Sequence, residues 1–245
     1  MSRREICHLV VGPNTGIRTL SQNIFPSSLH IFLSQHGGIP KGFTYETFWP
    51  ENFLIQETFT DGSGPVDLFS VVRFVQELER SIRKTLDSSE SSEQVLVCNG
   101  GPNRRTFTNT TFLLGAYMIL KFDLKASDTA YLFRGIDPKA FEPFKDIASM
   151  ESDFVLSVAD CWQALERAKG HSWIGLPLSC EPYRWGQIDI EAYEYYNNPL
   201  NADLHEIVPG RLFAMQAPRI LLDATYDDRH GRHFRYSALN VIVLS

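Results

Sequence analysis

Leu68, Val71, Val72, Val75, Leu78 and Ile82 recur at helical spacing, while Arg73, Glu77, Glu79, Arg83 and Lys84 occupy the rest of the circumference. That period predicts an amphipathic helix over Val66–Leu86. Pro65 suits its first position and Asp67 its first turn. Asp87-Ser-Ser-Glu-Ser-Ser-Glu93 then reads as a solvated connector. Val95-Leu-Val97 does not alternate, so it predicts a strand buried on both faces, as in a parallel sheet covered by helices. Thr108 to Phe122 is apolar nearly all round, which predicts a central, buried helix. Ser127 is placed to cap a further helix running to Arg134. Another helix is predicted over Phe154–Ala168, with Cys161 and Trp162 on its inner side.

Residues 1–42 have no clear period. Leu9-Val-Val11 and Leu29-His-Ile-Phe-Leu33 read as short strands separated by Gly-, Pro-, Asn- and Ser-rich turns, and Gly37-Gly-Ile-Pro40 breaks what precedes it. This stretch is treated as an N-terminal extension without an assigned fold. Phe53-Leu-Ile-Gln-Glu-Thr-Phe59 predicts a strand entering the turn Thr60-Asp-Gly-Ser-Gly-Pro65. Gly170 to Arg184, with Gly175, Pro177 and Pro182, reads as a loop or linker. Strands alternating with helices make the class α/β, and no internal repeat appears at solenoid spacing.

Composition narrows the function. The 245 residues are 43% hydrophobic and 12% aromatic, which is globular. A net charge of −6 speaks against a nucleic-acid partner and suits a basic peptide better. No apolar run reaches the roughly 20 residues that span a bilayer, so no membrane partner is expected. The four cysteines (Cys7, Cys98, Cys161 and Cys180) lie far apart with no zinc-type spacing. They read as reduced thiols of a cytoplasmic or nuclear protein, and nothing in the chain calls for a metal or other cofactor.

Candidate chemistry lies in Gln94-Val-Leu-Val-Cys-Asn-Gly-Gly-Pro-Asn-Arg104. A loop between a buried strand and a helix start can hold a thiolate and a guanidinium around one tetrahedral anion. On that reading Cys98 is the nucleophile towards phosphate, Arg104 and the loop amides hold the oxygens, and Gly101 lets the backbone approach them. Asp61, one helix earlier in a Gly/Pro loop, is the candidate acid for the leaving oxygen. The same residues also have a structural account: a core cysteine, a helix-starting arginine and an Asp-Gly turn. Two further segments stand out. Ile188-Asp-Ile-Glu-Ala-Tyr-Glu-Tyr-Tyr196 offers carboxylates to a basic peptide, or tyrosine rings to a neighbouring domain. Glu206 to Met215 reads as a turn entering a strand.

Several stretches together resemble the N-terminal half of the cell-division-cycle-fourteen type of dual-specificity phosphatase, within the protein-tyrosine-phosphatase superfamily. They are Phe59-Thr-Asp-Gly-Ser-Gly-Pro-Val-Asp-Leu68, Thr111-Phe-Leu-Leu-Gly-Ala-Tyr117, Glu142-Pro-Phe-Lys-Asp146, Tyr193-Glu-Tyr-Tyr196 and Ile207-Val-Pro-Gly-Arg-Leu-Phe-Ala214. The resemblance implies a protein-tyrosine-phosphatase-like fold, with a mostly parallel central sheet flanked by helices. It also implies two tandem domains, of which the first helps select substrates and the second carries the working cysteine. On that division 43–170 is the N-terminal phosphatase-like domain, 171–206 the linker and 207–245 the start of a second domain, whose His-Cys loop is not in this sequence.

The resemblance further implies hydrolysis of phosphoserine, phosphothreonine or phosphotyrosine in proteins through a cysteinyl-phosphate intermediate. The family favours phosphoserine followed by proline with a basic residue nearby, held partly by an acidic groove. Asp128, Glu191 and Glu194 are the candidate groove carboxylates here, with Thr129 where the family often has a second acid beside Asp128. Val97 and Arg105 depart from the His and Ser or Thr that flank working loops of this kind, whereas Gly101 matches. Cys98, Arg104 and Asp61 are therefore expected to be vestigial and this chain to be inactive by itself. The alternatives are a stand-alone cysteine-dependent phosphatase, or a pseudophosphatase that binds phosphopeptides without cleaving them.

Overall fold

The structure is a computed structural model that describes residues 7–11, 19–22, 28–34, 45–50, 64–88, 93–145, 155–174, 189–198, 204–208, 210–215, 226–227 and 233–234. The chain divides into two units, one of residues 1–57 and 61–167, the other of residues 58–60 and 168–245.

In the first unit, β1 (Cys7–Val11), β2 (Thr19–Gln22), β3 (Ser28–Ser34), β4 (Tyr45–Phe48) and β5 (Glu93–Asn99) form one sheet in the order β2-β1-β3-β5-β4. Only β2 runs antiparallel to its neighbour; the rest are parallel. The sheet is thus mostly parallel, as expected, and the strands read at Leu9–Val11 and Leu29–Leu33 belong to it. Val95 to Cys98 on β5 are buried on both faces, which explains their lack of alternation.

Helix α1 (Leu68–Ser88) buries Val71, Val72, Phe74, Val75, Leu78 and Ile82. Its Phe74 ring meets Phe48 of β4 edge-on, with centroids 5.6 Å apart. The helix starts two residues later than its apolar period suggests, because Asp67 acts as cap rather than as part of the first turn. Its carboxylate accepts the Ser70 amide at 2.8 Å and its carbonyl the Val71 amide at 3.1 Å. The exposed face carries the Glu77–Arg80 and Glu79–Arg83 pairs.

Helix α2 (Arg104–Phe122) is buried at every position from Thr110 to Leu120. It begins four residues before the predicted Thr108, since Asn103 accepts the Thr106 amide at 2.8 Å and so starts the helix among polar residues. Within the core the Thr108 and Thr111 hydroxyls donate to the Arg104 and Phe107 carbonyls, each at 2.8 Å. Asp123, at φ 59°, ends the helix in the left-handed region.

Helix α3 spans Ala126–Leu132, and here the sequence reading needs correction. Ser127 is inside the helix, Lys125 occupies the cap position without a side-chain bond, and Glu166 supplies the missing acceptor by taking the Ala126 amide at 2.8 Å. A 3-10 turn follows at Pro138–Ala140, and β6 (Phe144–Lys145) pairs antiparallel with β7 (Val155–Leu156). Because Val155 and Leu156 join that ribbon, α4 covers Val158–Gly170 and starts later than the predicted Phe154. Ser157 and Asp160 cap it reciprocally, at 2.8 Å and 3.2 Å. The Ser157 hydrogen bonds hold the Asp160 carboxyl below its usual range. This cap is therefore fully formed at neutral pH and is lost as pH falls through that lowered value. Trp162 of α4 is buried; its indole N–H donates to the Phe112 carbonyl at 2.9 Å and its ring lies 5.1 Å from that of Phe133.

The second unit contains α5 (Ile190–Asn197), which packs on β8 (Leu204–Val208). The turn entering a strand expected at Glu206–Met215 is present, and it forms the second half of a hairpin in which β9 (Leu212–Met215) pairs with β8. Gly210 turns it at φ 65° while its amide donates to the Glu206 carboxylate at 2.6 Å. Short strands β10 (Tyr226–Asp227) and β11 (His233–Phe234) pair antiparallel. The strand expected over Phe53–Phe59 lies outside the described residues.

A methyl group added at Gly115 would run into the Trp162 indole. Alanine gains about 1 kcal/mol of helix propensity over glycine, but overpacking a core costs about 1–3 kcal/mol. Gly115→Ala is expected to lower the thermal midpoint, and an unchanged midpoint would show that Trp162 does not depend on that gap.

Candidate functional site

Strand β5 carries Cys98 to its C-terminal end, between Leu33 of β3 and Phe48 of β4 in the register of the sheet. The side chain is fully buried. Burial pushes the thiol far above its ordinary value of 9.0, because a thiolate there would be stripped of water. At neutral pH Cys98 is a neutral core residue. A thiol used as a nucleophile towards phosphate needs the reverse environment, electropositive and partly open.

The loop after it is packed down on the core. The Gly100 amide donates to the Ser34 carbonyl at 2.7 Å, and the Gly101 amide to the Asn99 side chain at 2.9 Å. Pro102 has no N–H. From Gly100 to Pro102, then, each backbone donor is either absent or already bonded inside the protein. A methyl group at Gly100 would strike the Phe107 ring and lie 3.1 Å from the Ser34 carbonyl. Gly101 sits at φ 81°, where glycine is strongly favoured.

Arg104 stands at the start of α2 with its side chain exposed. Its guanidinium donates to the Phe141 carbonyl. Two neighbouring contacts fasten the same pair of segments. The Thr108 hydroxyl accepts the Glu142 amide at 2.8 Å, and the Phe107 and Phe141 rings stack with centroids 5.8 Å apart. Arg104 thus ties the first turn of α2 to the Phe141–Glu142 segment. Cys98 and Arg104 lie at the two ends of one loop, the thiol within the sheet and the guanidinium on the surface.

Asp61 lies outside the described residues. Asp128 is exposed in the first turn of α3. Glu191 and Glu194 are exposed on α5, in the second unit. Beside them Tyr195 and Tyr196 meet edge to face at 5.0 Å, and they are 58% and 43% exposed, enough for a partner to reach both rings. Tyr193 turns the other way, its hydroxyl 3.3 Å from His205 Nδ1 on β8.

Sequence reasoning missed three groups that decide what this loop is. Asn99, which closes the loop on itself, was legible as an Asn-Gly turn signal. Asn103 was legible as a polar cap three residues before Thr106. The Phe141 carbonyl had no local signal, since it reaches Arg104 across 37 residues.

A mostly parallel sheet, with a central strand that ends in a Cys-to-Arg loop opening a buried helix, is the framework of the cysteine-dependent protein phosphatases. Residues 31–168 match the family model described as dual specificity protein phosphatase, N-terminal half, and the chain belongs to that family. It is 26% identical over 178 residues to human dual specificity protein phosphatase CDC14C, an alignment covering 72% of this chain and 37% of the relative. With mouse CDC14A it shares 29% over 167 residues, covering 67% and 25%. The worm tyrosine-protein phosphatase cdc-14 (Caenorhabditis elegans) is 24% identical over 165 residues, covering 66% and 22%. The chain therefore corresponds to the N-terminal region of CDC14-type phosphatases and spans roughly a quarter to a third of the length of these relatives. Among the described residues no helix is long and apolar enough to cross a membrane.

Three measurements check this geometry. The half-buried Cys161 thiol is raised to about 11 by burial and by Asp160. In the folded protein at pH 8, iodoacetamide is expected to modify Cys161 slowly and Cys98 not at all until the chain unfolds. Rapid native labelling at Cys98 would contradict its burial. The sign for stability follows from the raised Cys98 value. Below 9.0 both states keep the proton; above it only the unfolded chain releases one, so stability falls as pH rises. Cys98→Ala should flatten that alkaline slope. Separately, Arg104→Ala should lower stability by about 1 kcal/mol through loss of a charge-assisted hydrogen bond, read as a smaller denaturant midpoint; no change would mean the Phe141 contact contributes nothing.

Proposed function

We propose that this chain is a non-catalytic, substrate-recognition half of a dual-specificity protein phosphatase. The observation that carries the reading is the state of the Cys98–Arg104 loop. Its thiol is buried and protonated, the Gly100 and Gly101 amides are bonded within the protein, and Arg104 is fastened to the Phe141 carbonyl. Val97 and Arg105, in place of the usual His and Ser or Thr, support the same reading. Cys98 and Arg104, with Asp61, are then remnants of a phosphate site whose framework now serves packing.

On this proposal the dephosphorylation of phosphoserine, phosphothreonine or phosphotyrosine is performed by a separate catalytic phosphatase domain. Its cysteine thiolate displaces the substrate's Ser, Thr or Tyr oxygen, which leaves protonated, to give a cysteinyl phosphate; water then attacks that phosphorus and releases phosphate and the thiolate, with no metal or cofactor taking part. The division is a recognition domain over 43–170, whose sheet is completed by β1, β2 and β3 from the residues before it, a connecting segment over 171–206 and the lead into a second domain from 207. The part of this chain is to bind the phosphoprotein near the phosphorylated residue. Asp128, Glu191 and Glu194 face solvent, and carboxylates so placed favour a substrate with basic residues over nucleic acid or an anionic membrane. A cytoplasmic or nuclear setting suits the free thiols.

The purified chain is expected to hydrolyse an aryl phosphate no faster than its Cys98→Ser and Arg104→Ala variants. Turnover that both substitutions abolish would establish instead a stand-alone cysteine-dependent phosphatase. Recognition is tested with a labelled phosphoserine-proline peptide carrying a lysine nearby. Exposed charge pairs are worth up to about 1 kcal/mol each, so reversing both charges in the Glu191→Lys/Glu194→Lys protein should weaken binding about tenfold or more. Asp128→Lys should weaken it less, and affinity indifferent to all three changes would show that these carboxylates take no part in recognition. Binding that instead falls with Arg104→Ala and survives Cys98→Ser would mark a phosphopeptide-binding pseudophosphatase.

A further inference from the structure

We draw no further inference here: the strongest candidate, the exposed apolar surface of the β8–β9 hairpin with Ile207, Leu212, Phe213 and Met215, carries nothing because nothing in the structure shows what covers it.

Discussion

Helix α2 is buried at every position from Thr110 to Leu120, and the first unit is arranged around housing it. Enclosure to that extent makes unsatisfied polar groups costly, although the Thr110 hydroxyl is left without a hydrogen-bond partner, and it leaves little room for bulk on the wrong side. Threonine hydroxyls at 108 and 111 therefore turn back onto the helix carbonyls. Gly115 leaves the groove in which the Trp162 indole lies, and that indole spends its one N–H on the Phe112 carbonyl. Through Trp162 the position of α4 is set, and through Glu166 on α4 the start of α3. One well-buried helix thereby orders two others.

The same demand shapes the loop that leads into α2. A phosphate-binding loop needs free amides pointing at the ligand and a thiolate held by positive potential. A loop that seals a core needs those amides bonded internally and its cysteine neutral. The two requirements compete for the same backbone groups. Here Gly100 bonds to Ser34, Gly101 bonds to Asn99, Pro102 brings no donor, and Cys98 is sealed between β3 and β4. The strand-loop-helix path stands without a ligand, because backbone topology and core packing do not require one.

Much of the fold was legible in the chain because burial leaves a periodic trace. The unalternating Val95–Val97, the stripe of α1 and the apolar run of α2 each follow from which faces meet water. Helix starts were read less well. α1, α2, α3 and α4 all begin away from the predicted residue, because caps are chosen by geometry that several nearby polar residues satisfy equally well in sequence. Asp67 and Asn103 are local caps, whereas Glu166 caps α3 from 40 residues away, and no local pattern announces such a partner.

The candidate site divides along the same line. By itself the sequence determined that Cys98 and Arg104 flank a Gly/Pro loop between a buried strand and a helix; that Val97 and Arg105 depart from working loops was read only through the family resemblance. Spacing along a chain constrains which residues can share a loop. Only the tertiary structure decided where those groups point: the thiol into the sheet, the guanidinium to the Phe141 carbonyl, the amides to Ser34 and Asn99. Hydrogen bonds and desolvation depend on neighbours brought from distant positions, and those neighbours exist only once the chain has folded.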